Sequence, residues 1–98
     1  LVMEMEYGRF VWDVAKELEN MVKHGVRFDE ASEAFLDPQR CIYIDRKHSL
    51  EELRLFCLGK VKDRVLTVRF TYRGDSIRII GAGYWRQGEK TYEKENSR

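Results

Sequence analysis

Between residues 53 and 82 the sequence holds three runs rich in β-formers, 53–61, 65–72 and 77–82, joined only by Lys62-Asp63 and by Arg73-Gly74-Asp75-Ser76. Connections this short cannot carry a chain back over a sheet, so neighbouring runs must pair antiparallel, as hairpins. Pairing Val61 with Arg64 across the first turn, and Tyr72 with Ile77 across the second, sets the register. Arg54 then lies opposite Thr71, Phe56 opposite Arg69, and Thr71 opposite Arg78. Alternation sends Leu53, Leu55, Cys57, Leu66, Val68, Phe70, Ile77 and Ile79 to one face, which must be core. The other face carries Arg54, Thr71 and Arg78 in one lateral row, with Arg69 one step away and with Phe56, Leu58 and Ile80 making it half apolar. A slip of one residue in either hairpin would scatter the row.

The elements before these hairpins read as helical. Phe10, Val11 and Trp12 make a short strand, and the Asp13 carboxylate is placed to cap a helix over 14–23. Ala15, Leu18 and Val22, with Val14 and Met21 at the edge, form its apolar face and are expected to be buried. Asp13, Lys16, Asn20 and His24 stand opposite, a solvated row or a strip open to a ligand. Gly25 ends this helix. A second one follows, with Asp29 as cap and Phe28, Ala31, Ala34 and Phe35 as buried stripe, and Asp37-Pro38 stops it. Cys41–Ile44 reads as a strand, 45–49 as a polar loop, and 85–95 as a last helix after a stretch weakened by Gly81, Gly83 and Gly88. The expected fold class is α+β: two short N-terminal helices after a first strand, a mostly antiparallel sheet of four to five strands, and a C-terminal helix. One domain over 10–95 is expected, with 1–9 as an N-terminal extension or a leftover of expression.

Composition excludes more than it assigns. Eighteen lysines and arginines against 17 acids leave a net charge of +1, so any basic site must come from arrangement. Cys41 and Cys57 lack C-x-x-C spacing and read as reduced thiols. No apolar run approaches the roughly 18 residues of a membrane span, and 1–9 lacks a signal-peptide layout, so the expected location is cytoplasmic. His24 and His48 stand outside any metal spacing, and no cofactor is expected. Gly-rich phosphate loops, G-x-S-x-G and H-E-x-x-H are all absent.

Adjacent arginines repel unless something anionic sits among them. An internal acid, Glu51, Glu52, Glu89 or Glu93, is one answer; a bound phosphate is the other, because the guanidinium fork matches its oxygens. Metal-free phosphodiester cleavage needs a base for the 2′-hydroxyl, cations for the phosphorane and an acid for the leaving oxygen. Candidate bases are His24, His48 and Glu52; candidate cations are Arg54, Arg69, Arg78 and Lys16.

The spacing W-D-x-x-K-x-x-x-N-x-x-K-H-G-V-x-F-x-E-A from Trp12 to Ala31 resembles the BrnT family of bacterial type II toxins. The resemblance continues through Asp37-Pro38, Asp45, His48-Ser49, Glu52-x-Arg54, Thr71, Arg73, Ile77-Arg78-Ile79-Ile80 and Tyr92-Glu93. It implies a fold similar to RelE ribonuclease toxins and metal-free RNA cleavage that blocks translation. It also implies a BrnA-type antitoxin with a ribbon-helix-helix domain, contact with DNA only through that antitoxin, and a homodimer or a heterotetramer with it. On this reading Arg54, Arg78, Glu52, His24 and His48 are the catalytic candidates, and Lys16, Arg69, Thr71, Arg73 and Arg86 the RNA-binding ones. One departure stands out: Gly81 and Gly83 occupy positions where the family pattern has serine and arginine. Arg86 or Lys90 is then the substitute cation; the alternative is a catalytically weak or inactive member that binds its antitoxin and acts in regulation.

Overall fold

A computed structural model describes residues 2–97. Its elements run β1 (Glu4–Tyr7), β2 (Phe10–Asp13), α1 (Val14–His24), α2 (Phe28–Ser32), a 3₁₀ turn (Glu33–Leu36), β3 (Cys41–Ile44), a 3₁₀ turn (Arg46–His48), β4 (Leu55–Val61), β5 (Arg64–Arg73), β6 (Ser76–Gly83) and α3 (Arg86–Asn96). Among the described residues six strands form one sheet in the order β1-β2-β6-β5-β4-β3. Every pairing is antiparallel except β2 with β6. The α+β class is as expected, but the sheet is mixed and has one strand more than the sequence suggested. The extra strand is β1, whose four side chains are all exposed. Without a buried face it carries no alternation to read.

Both hairpin registers are those the sequence implies: Val61 pairs with Arg64, Phe56 with Arg69, Tyr72 with Ile77 and Thr71 with Arg78. Lys62 and Asp63 take positive φ angles of 51° and 69°, the geometry whose twist suits a two-residue hairpin. One irregularity sits where β5 pairs with β6: Arg69 faces Gly81 and Phe70 faces Ile79, so Ile80 is the extra residue of a bulge. β4 starts at Leu55, and Leu53, expected in the core, is 50% exposed because it precedes the strand.

The main core lies on the face covered by α2 and the first 3₁₀ turn, around Trp12, Phe28, Ala31, Ala34, Leu55, Cys57, Leu66, Val68, Phe70 and Ile79. Gly59 allows the turn to approach, since a β-carbon there would strike the Ala34 backbone. Glu17 of α1 caps α2: its Oε2 accepts the Phe28 N–H at 2.8 Å. Asp29, the expected cap, is already inside the first turn and accepts the Glu30 N–H.

α1 is rotated relative to its apolar period. Asp13 caps it and Gly25 closes it at φ 68°, both as expected, but Leu18 is 57% and Val22 88% exposed, and Ala15 faces water too. Its one buried residue is Asn20, from the row expected to be solvated. The cause is the edge of β6. β2 pairs with β6 only at Ile77 and Arg78, so the Ala82 peptide lacks a neighbouring strand on that side. The Asn20 carboxamide stands in for one: Oδ1 accepts the Ala82 N–H at 3.0 Å, and Nδ2 donates to Ala82 O at 2.9 Å and Val26 O at 3.0 Å. Three buried backbone groups depend on this side chain, and leaving each unpaired costs about 1–3 kcal/mol. That matches or exceeds the burial of two aliphatic side chains, each worth roughly 1.5–3 kcal/mol.

α3 lies on the opposite face of the sheet, where Tyr92 packs with Leu58 and Val65, against Cys41, Tyr43 and Phe56. It therefore covers Leu58 and part of the half-apolar face, leaving the arginines clear. Among the described residues no helix is long and apolar enough to cross a membrane.

Candidate active site

Three backbone tethers fix Arg54 at the mouth of β4. The Asp45 N–H donates to Arg54 O at 2.8 Å, Arg54 N–H donates to Ser49 Oγ at 2.9 Å, and Thr71 Oγ1 donates to Leu53 O at 2.6 Å. The Ser49 hydroxyl in turn donates to Asp45 O at 2.6 Å, closing the 45–54 loop on itself. Thr71 is 1% exposed and its hydroxyl hydrogen is committed to Leu53, which makes it a brace for the loop.

Across β5 and β6, Arg54, Arg73 and Arg78 meet Lys16 of α1 around a cavity of about 200 Å³, with Thr71, Asp13 and Glu52 completing the wall. Internal acids answer the arginines. Glu52 Oε1 accepts from Arg73 Nε at 3.3 Å, and Glu52 Oε2 lies 3.4 Å from Arg54 Nε. Arg78 is bound by Glu4 of β1, an acid the sequence did not single out. Glu51, Glu89 and Glu93, weighed as partners, are exposed and take no part in these pairs. The Arg54–Glu52 contact is within ion-pair range but makes no hydrogen bond, so the Arg54 Nε–H is buried without an acceptor. A buried donor in that state costs free energy until an acceptor reaches it.

His48 sits beside this cavity. Its Nδ1 is 2.9 Å from Oδ2 of Asp45, a carboxylate 4% exposed, which also lies 3.6 Å from the Arg69 guanidinium. The Asp45 oxygen can only accept, so it selects the tautomer with hydrogen on Nδ1 and leaves Nε2 as the lone-pair nitrogen. His48, Glu52 and Arg54 share the wall of an adjoining hollow of about 350 Å³. His24 is elsewhere. It lines a third hollow of about 210 Å³ with Lys16, Lys23 and Arg69, and its ring meets Trp85 edge to face at 5.1 Å. Lys16 borders both the arginine cavity and the His24 hollow.

The catalytic and RNA-binding candidates thus divide. Arg54, Arg73, Arg78, Lys16 and Glu52 converge; His48 adjoins them through Glu52 and Arg54; Arg69 turns to Asp45 and the His24 side. Arg86 is exposed at the start of α3 and lines none of these hollows. Gly83 is fixed by packing, because a β-carbon there would enter the Trp85 indole, whereas one at Gly81 would only touch Asn20 Oδ1 at 3.6 Å. Sequence alone does not reveal Asp45, Glu4 or Trp85 as parts of the site. For Asp45 a signal existed, the D-x-x-H step to His48. Among the described residues no three His, Cys, Asp or Glu side chains gather as metal ligands.

Comparison with curated proteins returns no match. A family model does match, over residues 12–89, that of the ribonuclease toxin BrnT of type II toxin–antitoxin systems. The span starts at the buried Trp12, takes in every arginine of the cavity and ends in the first turn of α3. The chain therefore belongs to the BrnT family of ribonuclease toxins.

Proposed function

We propose that the chain is a metal-independent endoribonuclease that cleaves RNA through its own 2′-hydroxyl and so inhibits translation. The observation that carries this reading is the buried Arg54 Nε–H, without an acceptor, in a cavity where three arginines and Lys16 converge. A phosphodiester supplies the missing acceptor and the negative charge together. His48 Nε2 takes the 2′-hydroxyl proton while the 2′ oxygen attacks phosphorus, and Asp45 holds the ring and stabilises the imidazolium that forms. Arg54 and Arg78 bind the two non-bridging oxygens, whose charge grows in the phosphorane. The departing 5′ oxygen needs a proton, for which His24, beyond Lys16, is the remaining imidazole. The products are a 2′,3′-cyclic phosphate and a 5′-hydroxyl. The partner is a BrnA-type ribbon-helix-helix antitoxin in a heterotetramer, with DNA reached only through it, in the cytoplasm.

A second reading is favoured by one arrangement: each row arginine already has an internal carboxylate, and Gly83 with Trp85 stands where the family pattern has an arginine. A silent member would bind antitoxin without cleaving RNA. Incubating purified protein with RNA separates the two. Cleavage is expected in the wild type, with Arg54→Ala and Arg78→Ala each slower by about 10²–10³, the range for losing one preorganised donor. Intact RNA with folded wild type supports the silent reading.

A further inference from the structure

The sheet face opposite the arginine cavity is only partly covered. Past the 3₁₀ turn Glu33–Leu36, the β1–β2 turn and the start of β3 enclose an open groove of about 750 Å³. Tyr72 forms its floor, 54% exposed, and Leu36 and Ile42 its walls, 80% and 42% exposed; Ile44, on the same side of β3 as Ile42, continues the patch at 53%. So much contiguous aliphatic and aromatic surface on a chain of this size marks a place that another molecule covers. Its charges indicate what kind. Arg9 and Arg40 both line the groove and are exposed, against one lining acid, Glu33, that pairs with neither. Their hydrogen bonds go to main-chain carbonyls, Asp75 O and Asp37 O. Among the described residues neither has a carboxylate within ion-pair distance, unlike the arginines of the cavity.

An apolar trough flanked by two uncompensated guanidiniums fits a segment with one apolar face and carboxylates beside it. The family model already places a protein antitoxin beside this chain. We propose that the antitoxin seats an acidic amphipathic segment in this groove, between Arg9 and Arg40. This rests on the toxin reading for the identity of the partner. It also separates the functions in space: the docked segment lies on one face of the sheet, and Arg54 and Arg78 on the other.

The test is calorimetric titration of the purified chain with the purified antitoxin encoded beside it. The double reversal Arg9→Glu/Arg40→Glu is expected to raise Kd at least about tenfold and to lessen its salt dependence, with RNA cleavage unchanged. Leu36→Ser, at a position already open to water, is expected to weaken binding too. Arg78→Ala is expected to bind within about twofold of wild type. Wild-type affinity in the double reversal would overturn the groove, as would absence of binding by the wild-type chain. A wild-type dimer that Leu36→Ser dissociates in sedimentation would assign the groove to a second copy instead. The toxin reading fails by a different measurement: RNA left intact by the folded wild-type chain removes the nuclease and leaves the binding result standing.

Discussion

Asp37 shows how one side chain can join elements distant in sequence. Its Oδ2 accepts from the Tyr92 hydroxyl at 2.6 Å and from the Lys60 N–H at 2.7 Å, and its Oδ1 from the Gln39 N–H at 2.8 Å. Burial pushes the Asp37 carboxyl upward, but these three bonds and the Lys60 charge outweigh it and leave the group below its ordinary 3.8. Burial first, and then the bond to Asp37, push Tyr92 up to about 12 from 10. The two groups lend stability over different ranges. A depressed carboxyl contributes fully above about pH 4 and loses its contribution as acid titrates it; a raised phenol contributes fully below pH 10 and loses its contribution as pH climbs through 12. Unfolding free energy from urea titrations should therefore fall between pH 10 and 12. Tyr92→Phe keeps the ring, should cost about 1.5–3 kcal/mol at neutral pH as a bond to a charged acceptor, and should flatten that alkaline fall. Tyr84, also raised to about 12 by burial and its bond to Glu30, leaves a remainder. Equal slopes for variant and wild type would disconnect Tyr92 from the alkaline loss.

Elements were legible in the sequence where turns constrained them. The β4–β5 and β5–β6 registers followed from two short connections, and with them the juxtaposition of Arg54, Thr71 and Arg78. α1 was legible as a helix, with both caps, but not in its orientation, because the decisive contact is between Asn20 and an edge 62 residues away. β1 was not legible as part of the fold, since no side chain on it is buried. Yet β1 delivers Glu4 to Arg78, whose side chain is only 16% exposed. A carboxylate there competes with a phosphate for the same guanidinium. Glu4→Gln should therefore tighten binding of an RNA oligonucleotide carrying a 2′-deoxy block at the cleavage step. The expected gain is about two- to fivefold at low salt, the worth of a partly exposed ion pair. Anisotropy measurements showing unchanged affinity in the folded variant would mean that Glu4 leaves Arg78 free to bind phosphate.

For the whole molecule, the sheet divides two unequal cores. One face is sealed by Trp12, Phe28, Phe70 and the residues around them; on the other, among the described residues, the buried apolar cluster is small: Leu58 and Val65 of the sheet and Tyr92 of α3. The two faces were legible from alternation and α3 was legible as a last helix, but not that this helix covers the second face. R-Q-G-E-K-T-Y-E-K-E-N offers one large apolar side chain, too few to define a stripe. Its seat is correspondingly modest. Gly88 lies so close to Thr67 that a β-carbon would strike the hydroxyl, and that hydroxyl is buried without a hydrogen-bond partner. A helix held by one buried tyrosine and by the Asn96 carboxamide at its end, beside an unsatisfied donor, should open before the sheet does. In native-state hydrogen exchange the α3 amides are expected to exchange at least about tenfold faster than those in the middle of β5, and Tyr92→Phe should speed both, because it lowers the free energy of opening α3 and of global unfolding alike. Equal protection in α3 and β5 would show that the helix leaves only when the whole domain unfolds. Faster exchange would mean that Trp85, which caps α3, can leave His24 of α1 while the Arg54–Arg78 cavity stays assembled on the strands.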